Sequence, residues 1–245
     1  MKNNKVHSIE DIYNIVVEEL NSDISVVLRD AASAGISVLS PALGAVGTSI
    51  NSFLGQMDAF MINRLLIGLS GGLDQEKQIN ELYNYVVSNK KRAFIVGNIL
   101  KQTLISKSPK TCVIYGKALA NHIGDKDSDF SRDEVIVCNA LVNANDYDLK
   151  NFVVIMKECV IDNNIANKIF FDTRNEKIMN MRDVLEDTCS WCAYNRLYKF
   201  KPEEYADYVV KGALFIDTHY YVRNPANILL EWIEEVQQIW EYGDN

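Results

Sequence analysis

The residues best placed by type and spacing to do chemistry are Cys189-Ser190-Trp191-Cys192. A CxxC pair is a redox pair when it opens a helix, because the helix dipole lowers the pKa of the first thiol. Here the preceding MRDVLEDT reads as helix, so Cys189 and Cys192 would share one face of a helix and pack in the core. A structural zinc site needs a second ligand pair of similar spacing. No second CxxC and no HxxxH exists, and His7, His122 and His219 stand alone. Asp125, Asp127 and Asp129 have the first three spacings of a calcium loop. Phe130 replaces the glycine at position 6 and Ile136 the glutamate at position 12, so the stretch reads as a solvated acidic turn. His219 in IDTHYY could act as a base beside Asp217, since strand alternation would put both on one face, but no nucleophile is identifiable. Phosphate-binding glycine loops, GxSxG and HExxH are missing from the sequence. These readings predict no catalytic residue, no metal, no cofactor and no enzyme.

The elements that must position these residues are mostly helices. The chain has 245 residues, 48% hydrophobic and 24% charged, with 4 Pro and 12 Gly. That is globular composition, too poor in turn formers for an all-β chain. Ser8 with Asp11 reads as the cap of a helix that buries Ile12, Ile15, Val16 and Leu20. Asp74 opens the next, Ser108-Pro109 restarts one that ends near Gly124, and Ser131 with Glu134 forms a capping box. Asp148 is the expected start of LKNFVVIMKECVI, residues 176–199 read as one long helix, and Pro202 starts a short one. GALFIDTHYYV, rich in β-branched and aromatic residues, reads as one or two strands; Asn224-Pro225 then restarts a helix. The expected fold is mainly α, a multi-helix bundle with a small β element near the C-terminus. The expected parts are 1–73, an N-terminal helix plus an apolar segment; 74–172, a helical bundle; and 173–245, an aromatic-rich helical piece with short strands.

The net charge of −8 excludes a generic nucleic-acid binder, and it hides a segregation. Residues 1–73 carry 4 basic and 7 acidic groups, 74–124 carry 8 and 3, and 125–245 carry 13 and 23. No acidic residue lies between Glu81 and Asp125, a stretch that holds Lys90, Lys91, Arg92, Lys101, Lys107, Lys110 and Lys117. Either this stretch balances the acidic C-terminal third, or Lys90, Lys91, Arg92, Lys101 and Lys107 form a basic surface for an anionic membrane or acidic partner. The five cysteines, an odd number scattered through apolar stretches, fit a reducing compartment. The N-terminus turns acidic by Glu10 without an apolar run, so a cleaved signal is not expected. The expected place is the cytoplasm, peripheral to the inner face of the membrane in one reading.

Ala31–Met57 is free of charge, AASAGISVLSPALGAVGTSINSFLGQM, and AFMINRLLIGLSGGL follows Asp58. Its length suffices for a hydrocarbon core of ~30 Å, which takes roughly 20 helical residues. Ser, Thr, four Gly and Pro41 dilute it. A buried helix pair, a conditional membrane-inserting hairpin and a constitutive anchor are the competing readings. Val38, Leu39, Pro41, Leu43, Gly44, Val46, Gly47, Ile50, Phe53 and Leu54 would be the membrane or partner contacts. Half of the 24 aromatics fall between Trp191 and Tyr242, and Tyr220, Tyr221, Trp232 and Trp240 are the candidate partner face.

The stretch KRAFIVGNILKQTLISKSPKTCVIYGKAL, preceded by ALGAVGTSINSFL, resembles a loose class of small bacterial and prophage-borne helical proteins. In that class a Gly/Ala-rich apolar segment precedes a helical body and a small C-terminal α+β piece, and some members are suspected of acting in phage defence. The resemblance, over roughly residues 35–150, raises the membrane reading, gives no mechanism and assigns no catalytic residue; the expected function is that of a non-enzymatic protein that conditionally associates with or perturbs membranes through residues 31–73. The alternative is a soluble protein–protein interaction or regulatory module using the aromatic, acidic C-terminal third. The expected partner is a protein or an anionic membrane surface, with no nucleic acid; a homo-oligomer is a further alternative, and a thiol redox protein using Cys189 and Cys192 is a third class.

Overall fold

The computed structural model describes residues 7–20, 49–71, 74–123, 128–160, 167–201, 208–210 and 213–242. The protein is mainly α with a small antiparallel sheet toward the C-terminus. It divides into two compact units, residues 1–130 with 234–245, and residues 131–233.

The first unit is helical, and its punctuation follows side-chain capping. Helix α1, Ile9–Leu20, starts where Ser8 and Asp11 exchange backbone and side-chain hydrogen bonds, and it buries Ile12 and Val16. Helix α2 is Ser49–Ser70. Asp74 accepts from the Glu76 and Lys77 amides to open α3, Gln75–Val87. Asn89 accepts from Lys91 to open α4, Lys90–Ile105. Ser108 accepts from the Lys110 and Thr111 amides and, with Pro109 at the first helical position, opens α5, Pro109–Ile123. The most extensive packing is α2 on α5. At their crossing a Cβ on Gly68 would run into the Val113 carbonyl, and one on Gly116 into the Leu65 carbonyl. Only glycine permits this backbone approach, around which Leu65, Leu66, Leu69, Ile114 and Leu119 are buried.

The second unit begins with α6, Arg132–Leu141, behind the Ser131–Glu134 capping box. Helix α7, Asp146–Val154, starts two residues before the expected Asp148. Asn145 is its cap, and Asp148 is the reciprocal third residue of a second capping box. A π-turn, Ile155–Cys159, extends α7. The stretch 176–199 is not one helix. It is α8, Glu176–Asn180, a break at Met181, α9, Arg182–Tyr194, and then a strand. Helix α9 ends in a Schellman motif: the Leu197 amide bonds the Cys192 carbonyl and the Arg196 amide the Ala193 carbonyl, with Arg196 at φ +64°. Pro202 lies outside the described residues.

Four strands form the sheet: β1 Lys168–Asp172, β2 Tyr198–Phe200, β3 Tyr208–Val210 and β4 Ala213–Val222. β4 falls in the stretch expected to be extended, whereas β3 lies at the end of the stretch after Pro202 expected to be a short helix; it is a strand because it pairs with β4. β4 is central, with β1 antiparallel on one side and β2 and β3 antiparallel on the other. Lys168 faces Tyr221, but Phe170 faces Asp217, so β4 carries two extra residues in a bulge at Thr218–Tyr220. His219 adopts φ +60° there, and the Thr218 hydroxyl donates to the Ile169 carbonyl at 2.8 Å. Helix α10, Asn224–Tyr242, opens at Asn224-Pro225 as the sequence indicates. Its residues to Ile233 belong to the second unit and those from Glu234 to the first.

Candidate interaction face

The buried side of α4 carries Arg92, Ala93, Val96, Gly97, Ile99, Leu100 and Thr103. Lys91, Phe94, Asn98, Lys101 and Ile105 recur at alternating steps of three and four, so they form a single stripe on the other side. Lys90 and Lys91 are exposed, Asn98 and Lys101 half-buried, Phe94 46% exposed and Ile105 54% exposed. Lys107, just past the helix end, is exposed. A surface stripe thus combines large apolar side chains with ammonium groups.

Arg92 does not belong to that surface. It is only 8% exposed; its Nε donates to Asp129 Oδ1 at 2.7 Å, its Nη1 to Ser88 Oγ at 3.1 Å, and its guanidinium lies 4.5 Å from the centroid of the Tyr85 ring. Burial of the stem under α3 draws the charge inward, where Asp129 compensates it. Lys91 Nζ also reaches Asp129, at 3.4 Å, while remaining 60% exposed at its side chain. The hydrogen bond from Arg92, then Lys91, holds the Asp129 carboxyl below the ordinary carboxylate range. Asp129, its side chain 35% exposed, is thus an ion-pair partner of α4 as well as a solvated residue; Asp125 and Asp127 lie outside the described residues.

His122, isolated in the sequence, is not isolated in space. Its Nδ1 lies 2.6 Å from Ser128 Oγ, its ring stacks on Phe130 at 4.1 Å, and Tyr85 Oη donates to the Ser128 carbonyl at 3.2 Å. These interactions tie residues 128–130 to α3 and α5. The only sequence signal for them is Gly124, which reads as a helix C-cap.

Of the apolar segment residues, Val38, Leu39, Pro41, Leu43, Gly44, Val46 and Gly47 lie outside the described residues. Ile50, Phe53 and Leu54 lie on α2, where only their backbone is described. The following stretch of α2 is core: Ala59, Met61, Ile62, Leu65, Leu66 and Leu69 are buried. Among the described residues no helix is long and apolar enough to cross a membrane.

Of the four aromatics of the candidate partner face, Trp232 is not exposed. Trp232 is only 3% exposed and belongs to the core, because it falls on the inward side of α10 with Leu229 and Ile233. The Trp240 side chain lies outside the described residues. Tyr220 and Tyr221 are half-buried on β4. Tyr220 Oη is 3.0 Å from Ser190 Oγ, and the Tyr221 ring carries Lys168 Nζ at 5.2 Å and Lys201 Nζ at 4.7 Å from its centroid. Among the described residues the exposed aromatics of this unit are instead Tyr147, at 78%, Tyr194, at 86%, and Phe200, at 50%. Tyr194 closes the exposed side of α9, a position visible only once that helix is seen to stop there.

Cys189 and Cys192 sit in the second half of α9, both buried. Burial pushes their thiols upward, and it pushes those of Cys112 and Cys159 up to about 12. None of these thiols ionises at neutral pH, which is the opposite of what a nucleophilic CxxC requires. The bulge at His219 breaks the alternation that would have put it on one face with Asp217. Among the described residues no three His, Cys, Asp or Glu are grouped to hold a metal ion.

No family model, no curated protein and no solved structure matches this chain.

Proposed function

We propose that this is a non-enzymatic helical protein that docks onto an anionic surface through the outer stripe of α4. The observation that carries the reading is the joint exposure of Phe94 and Ile105 with Lys90 and Lys91, and the half-buried Lys101 on the same stripe, on a helix whose other side is core. The absence of acidic residues between Glu81 and Asp125 adds to it, since α4 and α5 contribute no carboxylate to oppose an anion. The burial of Ala59, Met61, Ile62, Leu65, Leu66 and Leu69 favours α4 over the second apolar stretch as the working face, because most of that stretch's apolar side chains, Phe60 at 40% exposure excepted, already serve the core.

The test is retention on a phosphate-bearing matrix at low salt and neutral pH. A chain of net charge −8 has no bulk reason to bind it. Retention is expected for the wild type, with loss on the combined change Lys90→Glu, Lys101→Glu and Lys107→Glu. An unretained wild type would sink the reading. A second reading, a protein partner on the second unit, is favoured by the exposure of Tyr194 and Phe200. In that reading a photo-crosslinker at position 194 captures a partner, and Tyr194→Ser with Phe200→Ser abolishes capture without lowering the melting temperature.

A further inference from the structure

We infer that the anionic surface met by α4 is a lipid bilayer, with Phe94 and Ile105 entering the interfacial region and Lys90, Lys91, Lys101 and Lys107 resting among the headgroup phosphates. This inference rests on the docking function proposed for α4 and names its partner.

Phe94 and Ile105 are eleven residues apart, about 16.5 Å along the axis at roughly 1.5 Å per residue. They stand near the two ends of one convex ridge, so a flat surface meets both at once. Protein hot spots sit in pockets at the centre of patches of roughly 800 Å² per partner. Phe94 and Ile105, near opposite ends of the stripe, do not form the central apolar cluster that such a patch is built around. A bilayer needs no such cluster. It accepts an amphipathic face to a depth of roughly 5–10 Å, and lysines beside that face place their ammonium groups at the phosphates while their stems lie along apolar surface. Each lysine near an anionic leaflet strengthens binding by about fivefold.

The elements packed against α4 carry charges of their own, and α1, which packs on it most extensively, contains Glu10, Asp11, Glu18 and Glu19. Asp129 draws on Lys91 at 3.4 Å, and α3 contributes Glu76 and Glu81, the latter 3.8 Å from Lys77. On α5, Lys117 lies 3.6 Å from Glu235 and is committed there. Lys101 and Lys107 are therefore the cleanest reporters of headgroup contact, and Phe94 of insertion.

The experiment uses the full chain with vesicles of phosphatidylcholine alone, or of phosphatidylcholine with phosphatidylglycerol, at low and raised salt. Phe94→Trp supplies an indole whose emission is read by difference against Trp191, Trp232 and Trp240. Co-sedimentation is expected only with the anionic vesicles, at least tenfold tighter than with phosphatidylcholine and weakened by salt as Debye screening requires. The added indole should shift to the blue and be quenched by brominated lipid. Lys101→Glu with Lys107→Glu should weaken binding at least twentyfold, and Ile105→Ser several-fold, with melting unchanged. Lys107→Glu alone, at an exposed position beyond the helix, keeps the test valid if the double variant fails to fold.

Retention on the phosphate matrix without vesicle binding would overturn the lipid assignment and leave the anionic docking intact. Failure of both would remove the two together. Vesicle binding that survives both lysine changes, with an unshifted indole, would place the contact elsewhere in the chain and overturn this inference.

Discussion

The two units reach a left-handed or sterically closed backbone by different means. In the first, glycine occupies the places where a side chain cannot stand: Gly68 and Gly116 where α2 meets α5, and Gly71 at φ +55° just past α2. In the second, Asn167, Arg196 and His219 take positive φ with their side chains present. Each such residue sits next to a strand: Asn167 before β1, Arg196 before β2, His219 within β4. The sheet's hydrogen bonds hold them there. The Val222 amide bonds the Asn167 carbonyl at 2.6 Å, the Lys201 amide the His219 carbonyl at 3.0 Å, and the Arg223 amide the Leu197 carbonyl at 3.1 Å. Non-glycine αL residues cost roughly 1–2 kcal/mol each. The first unit avoids that strain through composition, and the second offsets it with long-range pairing.

The largest effect that would break this comparison lies at the helix crossing. Gly116→Val should destabilise the protein by about 4 kcal/mol, because backbone rather than a movable side chain blocks its Cβ and helices cannot separate without losing the Leu65–Leu69 core. Gly71→Ala is the internal contrast. Nothing lies within 4 Å of its Cβ, so only the αL strain of about 1 kcal/mol should appear. Urea denaturation followed by far-UV circular dichroism separates the two, and equal midpoints would dismiss the close crossing.

This contrast also explains how much is readable from the chain. The helix starts at Ser8, Asp74, Ser108 and Ser131 are legible because capping is local, settled within four residues. The mainly helical fold follows from them. The stop inside 176–199 is not legible, because it uses Arg196 instead of glycine, and no residue type announces that. β1 and β2 escape the sequence because KIFFD and YKF are short and become strands only against β4, which is legible from its own β-branched and aromatic run. At the interaction face the positions of Lys90, Lys91, Lys101 and Lys107 are legible as a basic stretch. The inward turn of Arg92 is not, since its partner Asp129 lies 37 residues away. Trp232 and Tyr194 exchange roles for the same reason: which side of a helix is buried depends on what it packs against.

A second prediction tests whether the second unit's thiols are packing groups. Cys192→Ser places a hydroxyl where the thiol is fully buried and should cost about 2 kcal/mol. In the folded wild type, alkylation by iodoacetamide should stay slow across neutral pH, because burial holds Cys159 up to about 12 and raises Cys189 and Cys192 too. Rapid labelling of Cys189 at pH 7 in the folded state would overturn the packing role and restore the redox reading.

A third, smaller effect has the opposite sign. Arg196→Gly removes αL strain but adds chain entropy to the unfolded state, so a net stabilisation of about 0.5 kcal/mol is expected. A destabilisation would mean that the Arg196 side chain contributes more than its backbone costs.

The smallest expected effect distinguishes the two units by their ion pairs. Asp129 and Asp172 both have carboxyls held below the ordinary range, by Arg92 and by Arg174 respectively. A carboxyl with a lowered folded pKa contributes stability that is present above its unfolded value, near 3.9, and is lost as pH falls through the lower folded value. Acid titration of stability should therefore bend downward below about pH 4. The two sites should not contribute equally. Arg174 is two residues from Asp172, close enough for the pair to persist in the unfolded chain, so little of its shift is a difference between states. Arg92 is brought to Asp129 only by folding, and its side chain is 10% exposed against 62% for Arg174, so solvent screens it less. Asp129→Asn should flatten the acid slope measurably, and Asp172→Asn should leave it nearly intact. Equal flattening would show that the local pair forms only on folding, and no flattening by Asp129→Asn would show that burial of Arg92 is compensated by groups other than that carboxylate.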